Sequence, residues 1–224
     1  MIRILVLGLP LLLAGCAGIS PPTKFYVLDA GPPPAGSKPL GVRPGLSIGL
    51  GPIDLPELVV RPQILTRPDG YSVQLSEFHQ WAGELRSNMA RVMARELMRR
   101  LNTERLALYP WPGSNELDYQ VRVEVFRFDG RLGGPAVLEG TWTLVDGAGR
   151  QELLTQAFSL TETTPGPEYG DLVGTLSRLT VRLADLIAQG IARQAARGAQ
   201  PVSVFVPSDP SACGLALSHT RKSS

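Results

Sequence analysis

Apolar residues recur along this chain with two periods, and the switches between them mark its elements. From Ser76 to Leu101, the residues Trp81, Leu85, Met89, Val92, Met93, Leu97 and Leu101 fall at spacings of three and four. That spacing predicts one amphipathic helix with Ser76 as its cap. Tyr169 to Gln194 repeats the signature: Leu172, Leu176, Leu179, Leu183 and Leu186 step by four and three, Ile187 and Ile191 widen the stripe, and Gly190 interrupts it. The stripe is too short to specify a coiled coil, so packing on a sheet is expected.

Elsewhere the period is two. Lys24 to Asp29, Leu46 to Ile53 and Leu106 to Tyr109 read as short strands, and Tyr119, Val121, Val123 and Val125 alternate with polar residues. The pattern then shifts to Phe126 and Phe128, the mark of a bulge that turns the side chains over. Ala136 to Val145 and Gln151 to Thr161 flank Asp146-Gly147-Ala148-Gly149, which predicts a three-stranded antiparallel meander with one solvated face. Gln63 to Thr66 and Tyr71 to Leu75 flank Arg67-Pro68-Asp69-Gly70, a hairpin turn in which Pro presets the bend and Gly supplies the positive φ. Gly31 to Gly45, dense in Pro and Gly, is expected to be an exposed connector. The expected fold class is therefore α+β: a two-layer sandwich of a mainly antiparallel sheet with two main helices, spanning residues 24–196. Beyond Arg197 only Val202, Val204 and Val206 alternate, and the composition predicts a disordered tail over residues 197–224.

The N-terminus has a different logic. Met1 to Gly15 carries one positive charge at Arg3 and then an almost unbroken apolar run from Ile4 to Leu13. A membrane-spanning helix needs about 20 apolar residues, so this segment fits a secretory signal over residues 1–15 instead. Leu13-Ala14-Gly15-Cys16 looks like a bacterial lipobox, in which the Cys16 thiol is acylated and becomes the mature N-terminus. Each buried methylene adds about 0.8 kcal/mol, so two or three acyl chains hold where one does not. Ala17 stands where an Asp would favour retention in the inner membrane, which directs the expected address to the outer membrane, periplasmic side. Residues 16–23 form a short tether: eight steps from Cys16 to Lys24 reach at most about 28 Å.

Charge and chemistry add little beyond exclusions. The chain has 224 residues, 43% hydrophobic and 19% charged, and 22 Lys and Arg against 20 Asp and Glu give a net charge of +2. Such a balance fits one domain and gives no field that would draw nucleic acid. The only other cysteine, Cys213, lies in the tail with His219 as its nearest second ligand, so neither a disulfide nor a zinc site is expected. Gly49-Leu50-Gly51 is followed by Pro, not by a helix that could receive a phosphate. His79 has no nucleophile for a partner and is expected to pack or bond near the helix start, while Asp118, Glu124 and Asp129 fit a solvated strand face. No enzyme, cofactor or metal is expected. Arg91, Arg95 and Arg99 lie four apart, and Arg91 and Arg95 have no acidic neighbour at helical spacing. A solvated face accounts for them; the sharper reading is a row facing an acidic protein surface or anionic headgroups.

Several segments in order along the chain resemble the PqiC family, the auxiliary lipoproteins of MCE-type ABC transport systems. They are the lipobox, Ser20-Pro21-Pro22 to Phe25-Tyr26-Val27-Leu28, Ile48 to Ile53, Leu58-Val59-Val60-Arg61-Pro62-Gln63-Ile64, Glu77-Phe78-His79-Gln80-Trp81-Ala82, Tyr109-Pro110-Trp111, and Asp118 to Val123 with Phe128-Asp129-Gly130. The resemblance implies a non-catalytic docking subunit at the outer membrane, with an envelope-spanning MCE-domain protein as partner, in lipid trafficking and envelope integrity. A partner surface is expected around Leu58, Val60, Phe78 and Trp81, where apolar and Pro-rich chain lies beside a Trp, with Arg91 and Arg95 as the charged candidates. A closed homo-oligomer would suit a ring-shaped partner. Two other classes share the features read from residues alone: an assembly lipoprotein partnering a barrel protein, and a periplasmic lipid carrier, which needs an apolar cavity between helices and sheet.

Overall fold

The computed structural model describes residues 21–32, 36–111 and 117–198. The expected signal, Cys16, most of the tether, Cys213 and the tail from residue 199 lie outside the described residues. The elements in chain order are β1 (Lys24–Tyr26), β2 (Ile48–Asp54), β3 (Gln63–Thr66), β4 (Gln74–Trp81), α1 (Leu85–Leu101), β5 (Leu106–Leu108), β6 (Tyr119–Gly130), β7 (Pro135–Asp146), β8 (Glu152–Thr163) and α2 (Tyr169–Gly198).

The class is α+β, with two mixed sheets. Five strands in the order β5-β2-β6-β7-β8 form the main sheet, and β1-β4-β3 form a smaller one. The longest ladders, β6 with β7 and β7 with β8, are antiparallel as the meander pattern requires, whereas β2 runs parallel to both its neighbours. A parallel pair needs a crossover, and between β2 and β5 the chain makes the small sheet's hairpin and then α1. Both helices pack on the main sheet and on each other. Val121, Val123, Leu138, Trp142 and Leu144 from the sheet meet Leu172, Leu179, Leu183 and Ile187 from α2 in one buried core. The opposite face is polar: the Thr143 and Thr155 hydroxyls are 3.1 Å apart, and Ser159 donates to Glu139 at 2.9 Å.

The predicted hairpin forms with a longer turn: β4 starts at Gln74 and not at Tyr71, and Gly70 does not take a positive φ, because the Asp69 carboxylate accepts the Tyr71 and Ser72 N–H groups and shapes the turn. Two further predicted details change. The helix expected from Ser76 begins at Leu85. Residues 76–81 belong to β4, which pairs with β3 and, in parallel, with β1. Between Gln63 opposite Gln80 and Leu65 opposite Leu75, β3 advances two residues while β4 advances five. The surplus is a bulge in which Ser76 accepts the His79 N–H at 3.1 Å and the Gln80 amide donates to the Glu77 carbonyl at 3.1 Å. These three-residue loops imitate helical spacing, so Trp81 joins the α1 stripe by coincidence. Ser76 caps no helix; Glu84 holds that position, and its carboxylate accepts from the Ser87 hydroxyl. From Leu85 onward the predicted face is buried in full: Leu85, Met89, Val92, Met93, Leu97 and Leu101. The helix ends at Asn102, whose left-handed φ of 47° suits a short polar side chain. Thr103 then donates to the Leu46 carbonyl at 2.6 Å, tying α1 to the start of the β2 region.

The second change is at the bulge in β6. Register slips between Val125 and Arg127 as predicted, but Val125 and Phe128 point inward and Phe126 stays outside, 57% exposed. Gly140 lies opposite Val125, and a methyl there would overlap the Glu124 carbonyl and come within 2.8 Å of Phe158. A glycine is what lets β7 close on the bulge.

Candidate functional site

The chain leading from the tether is strapped to three elements at once. Lys24, Phe25 and Tyr26 pair with His79, Gln80 and Trp81 on β4, and the Ala82 N–H donates to the Tyr26 carbonyl at 2.8 Å. The Leu28 N–H donates to the Asn88 side-chain oxygen at 2.6 Å, and the Asn88 amide returns a bond to the Leu28 carbonyl at 3.0 Å. Asn88 of α1 thus acts toward Leu28 as a neighbouring strand would. One residue later the Asp29 N–H donates to Ser177 of α2 at 3.2 Å, and Arg95 donates to the Asp29 carboxylate at 3.0 Å. Leu28 is buried between these partners.

His79 completes the strap. Its Nδ1 lies 2.7 Å from the Tyr26 hydroxyl, and its ring stacks on Tyr169 at the start of α2 with centroids 4.0 Å apart. Burial, followed by the positive charge of Lys24, lowers its pKa below the ordinary 6.5, with Glu168 opposing. A neutral ring with its proton on Nε2 accepts the Tyr26 hydroxyl at Nδ1, and protonation removes that acceptor. The unfolded chain takes up the proton first, so this contribution is present in full above about pH 6.5 and is lost as pH falls through the folded value. Unfolding measured at pH values from about 7.5 down to 5 is therefore expected to show a stability loss that a His79→Gln variant lacks. Equal pH dependence in both proteins would contradict the clasp.

Beside the strap lies the predicted partner surface. Val60, Arg61, Pro62, Trp81 and Leu85 line a shallow cleft of about 290 Å³. Leu58 and Val60 are 38% and 39% exposed, Phe78 is half-buried, and Trp81 is buried at the floor, 6.5 Å from the ring of Phe128. The cleft therefore brings Val60 and Trp81 together, with Leu58 close in sequence on the same exposed segment.

The arginine row does not act as a unit. Arg95 is held by Asp29, Arg99 by Glu96 at 2.8 Å, and Arg100 by Asp185. Sequence spacing along the helix could not reveal Asp29 or Asp185, which come from distant chain. Only Arg91 of that set has no ion pair among the described residues. It borders a second cleft of about 400 Å³ floored by Leu50, Pro52, Ile53 and Tyr109, next to Arg86, which donates to the Ile53 carbonyl at 2.8 Å.

The strand carboxylates are structural. Asp129, expected on a solvated face, is instead buried and accepts from Arg67 at 3.1 Å and Arg127 at 3.0 Å. Asp118 accepts the Ser47 N–H at 2.8 Å and pairs with Arg43. In the β3–β4 turn, Asp69 accepts the Ser72 N–H, the Ser72 hydroxyl and the Tyr71 N–H, which together hold its pKa down at about 2. Among the described residues, no three His, Cys, Asp or Glu side chains gather as a metal site, and no helix is long and apolar enough to cross a membrane.

Two crystal structures share this fold. Protein XCC0632 from Xanthomonas campestris, of the DUF330 family, is 13% identical over 80% of this chain and all of its own, with a TM-score of 0.64. An uncharacterized protein is 18% identical over 76% of this chain and 99% of its own, with a TM-score of 0.60. Among curated proteins no sequence matches. Residues 26–188, from the strap through most of α2, match the ABC-type transport auxiliary lipoprotein component family. The chain belongs to that family of ABC-transport auxiliary lipoproteins.

Proposed function

We propose that this protein is an outer-membrane lipoprotein, anchored through Cys16 on the periplasmic side, that docks an MCE-type ABC transport system without catalysing a reaction. Family membership across residues 26–188 carries the reading. The lipobox at Cys16 supplies the anchor, and the strap supplies a mechanical link between that anchor and both helices. The docking face is the cleft of Val60, Pro62 and Trp81 with Leu58 at its edge. Anchor residues at interfaces are aromatic or aliphatic groups in pockets, and Trp81 at the floor of this cleft fits that role. Arg91 is the charged candidate with no ion pair among the described residues, so its reversal to Glu tests the charge contribution separately.

The carrier alternative finds no support between the layers, where Trp142, Leu138, Leu144, Leu183 and Ile187 fill the space at no more than 1% exposure. A photo-crosslinking residue placed at Val60 in living cells is expected to capture an MCE-domain protein, and one at Thr141 on the polar face is expected not to. Capture from Thr141 alone would move the docking face to the opposite side of the sheet.

A further inference from the structure

The strap treats its two faces differently. Inward, Tyr26 meets His79 and the Leu28 backbone is gripped by Asn88. Outward, Phe25 is 63% and Val27 57% exposed. A lone exposed apolar residue needs no explanation. Here two alternate along a segment whose backbone is fixed, so they present one constant apolar edge. Edge strands facing water ordinarily carry charged or polar side chains, and this one carries Phe and Val with the exposed Lys24 just before them.

The chain that precedes the strap says what covers this edge. Nine steps separate Phe25 from Cys16, a reach of at most about 32 Å. Because the anchor confines the strap to that layer, its encounter with the membrane is intramolecular and even a small apolar contact is populated. Aromatic rings favour the level of the headgroups, and a lysine there meets anionic lipid. We infer that Phe25 and Val27 rest in the interface of the phospholipid bilayer that holds the Cys16 acyl chains, so that the domain stands on the membrane in one orientation. The inference rests on acylation of Cys16.

The full acylated protein, its lipidation checked by intact mass, would be placed in phosphatidylethanolamine and phosphatidylglycerol vesicles with and without brominated acyl chains. Phe25→Trp adds one reporter, and subtracting the parent removes Trp81, Trp111 and Trp142. The added emission is expected to be quenched roughly twofold or more by brominated lipid, as for a ring at the interface, while that of Phe126→Trp on the main sheet is not. Val27→Trp repeats the measurement should Phe25→Trp fold poorly. In protein confirmed as acylated, an unquenched reporter would overturn the inference and leave the anchor standing. Equal quenching at Phe126→Trp would overturn the single orientation. Shielding that grows with protein concentration but ignores bromine would put a second copy on this edge and overturn the inference too. A mass lacking acyl chains would overturn the Cys16 reading itself.

Discussion

Trp142→Ala is expected to lower unfolding stability by about 2 kcal/mol. Truncating a buried aromatic costs about 3–5 kcal/mol in lost burial and cavity formation, and Trp142 is 1% exposed at the centre of the helix–sheet core. A polar effect opposes this loss. The Trp142 Nε1 is buried with no hydrogen-bond partner among the described residues, and removing an unsatisfied donor returns about 1–3 kcal/mol. The lost burial outweighs that return, so the sign is a destabilisation. The ring sits against Gly190 of α2, where a methyl group would overlap it. The glycine that interrupts the leucine stripe is thus the notch that receives Trp142. Gly190→Ala gains about 1 kcal/mol of helix propensity and loses about 1–3 kcal/mol to overpacking, a net destabilisation in the wild-type background. In a Trp142→Phe background the smaller ring makes room, and the same substitution is expected to become neutral or stabilising. Urea unfolding of the four proteins measures this coupling. Additive effects would show that Gly190 does not seat the ring.

Cys16→Ser is expected to abolish acylation altogether. On the proposed lipobox reading, a serine hydroxyl would not take the thioether-linked lipid, and cleavage before residue 16 would depend on that lipid being present. Labelled palmitate incorporation should fall to background, the precursor should keep residues 1–15, and the protein should be missing from outer-membrane fractions. The physical size of the effect follows from the acyl chains: at about 0.8 kcal/mol per methylene, two or three chains dominate every other contact the domain makes with a bilayer. Palmitate incorporation that survives the substitution would exclude Cys16 as the lipidated residue.

Periodicity is what the sequence makes legible. The stripe of α2, the face of α1 from Leu85, the β6–β7–β8 meander and the bulge in β6 are all local patterns, and each is found where the pattern puts it, whereas the β3–β4 hairpin is present but its second strand starts three residues later than its pattern, at Gln74. Features that depend on residues far apart in the chain are not legible in this way. The bulge in β4 reproduces helical spacing from Ser76 to Trp81, and only its pairing with β1, more than 50 residues earlier, marks it as a strand. Gly83, a poor helix residue just before α1, is the available signal. The strap rests on Leu28 with Asn88 and Asp29 with Ser177, 60 and 148 residues apart. Neither bond leaves a trace in local composition.

The candidate site divides in the same way. Val60 and Trp81 meet in one cleft because β3 and β4 form a hairpin, and the presence of that hairpin, though not the extent of its second strand, can be read from Arg67-Pro68-Asp69-Gly70. The neutralisation of Arg95 by Asp29 and the pairing of Asp129 with Arg67 cannot, because those partners lie 66 and 62 residues apart and meet only through tertiary packing; Arg127, two residues from Asp129 on β6, is the one local partner. Of the arginine row, packing leaves Arg91 as the residue worth reversing.

The docking role in an MCE-type transport system stands or falls with what the acylated protein holds in its own membranes. Affinity purification from those membranes in mild detergent, with mass spectrometry of the proteins that accompany it, reads this out. An MCE-domain protein together with its permease is the expected recovery. Recovery of an outer-membrane barrel protein alone would contradict the docking role and put the assembly role in its place.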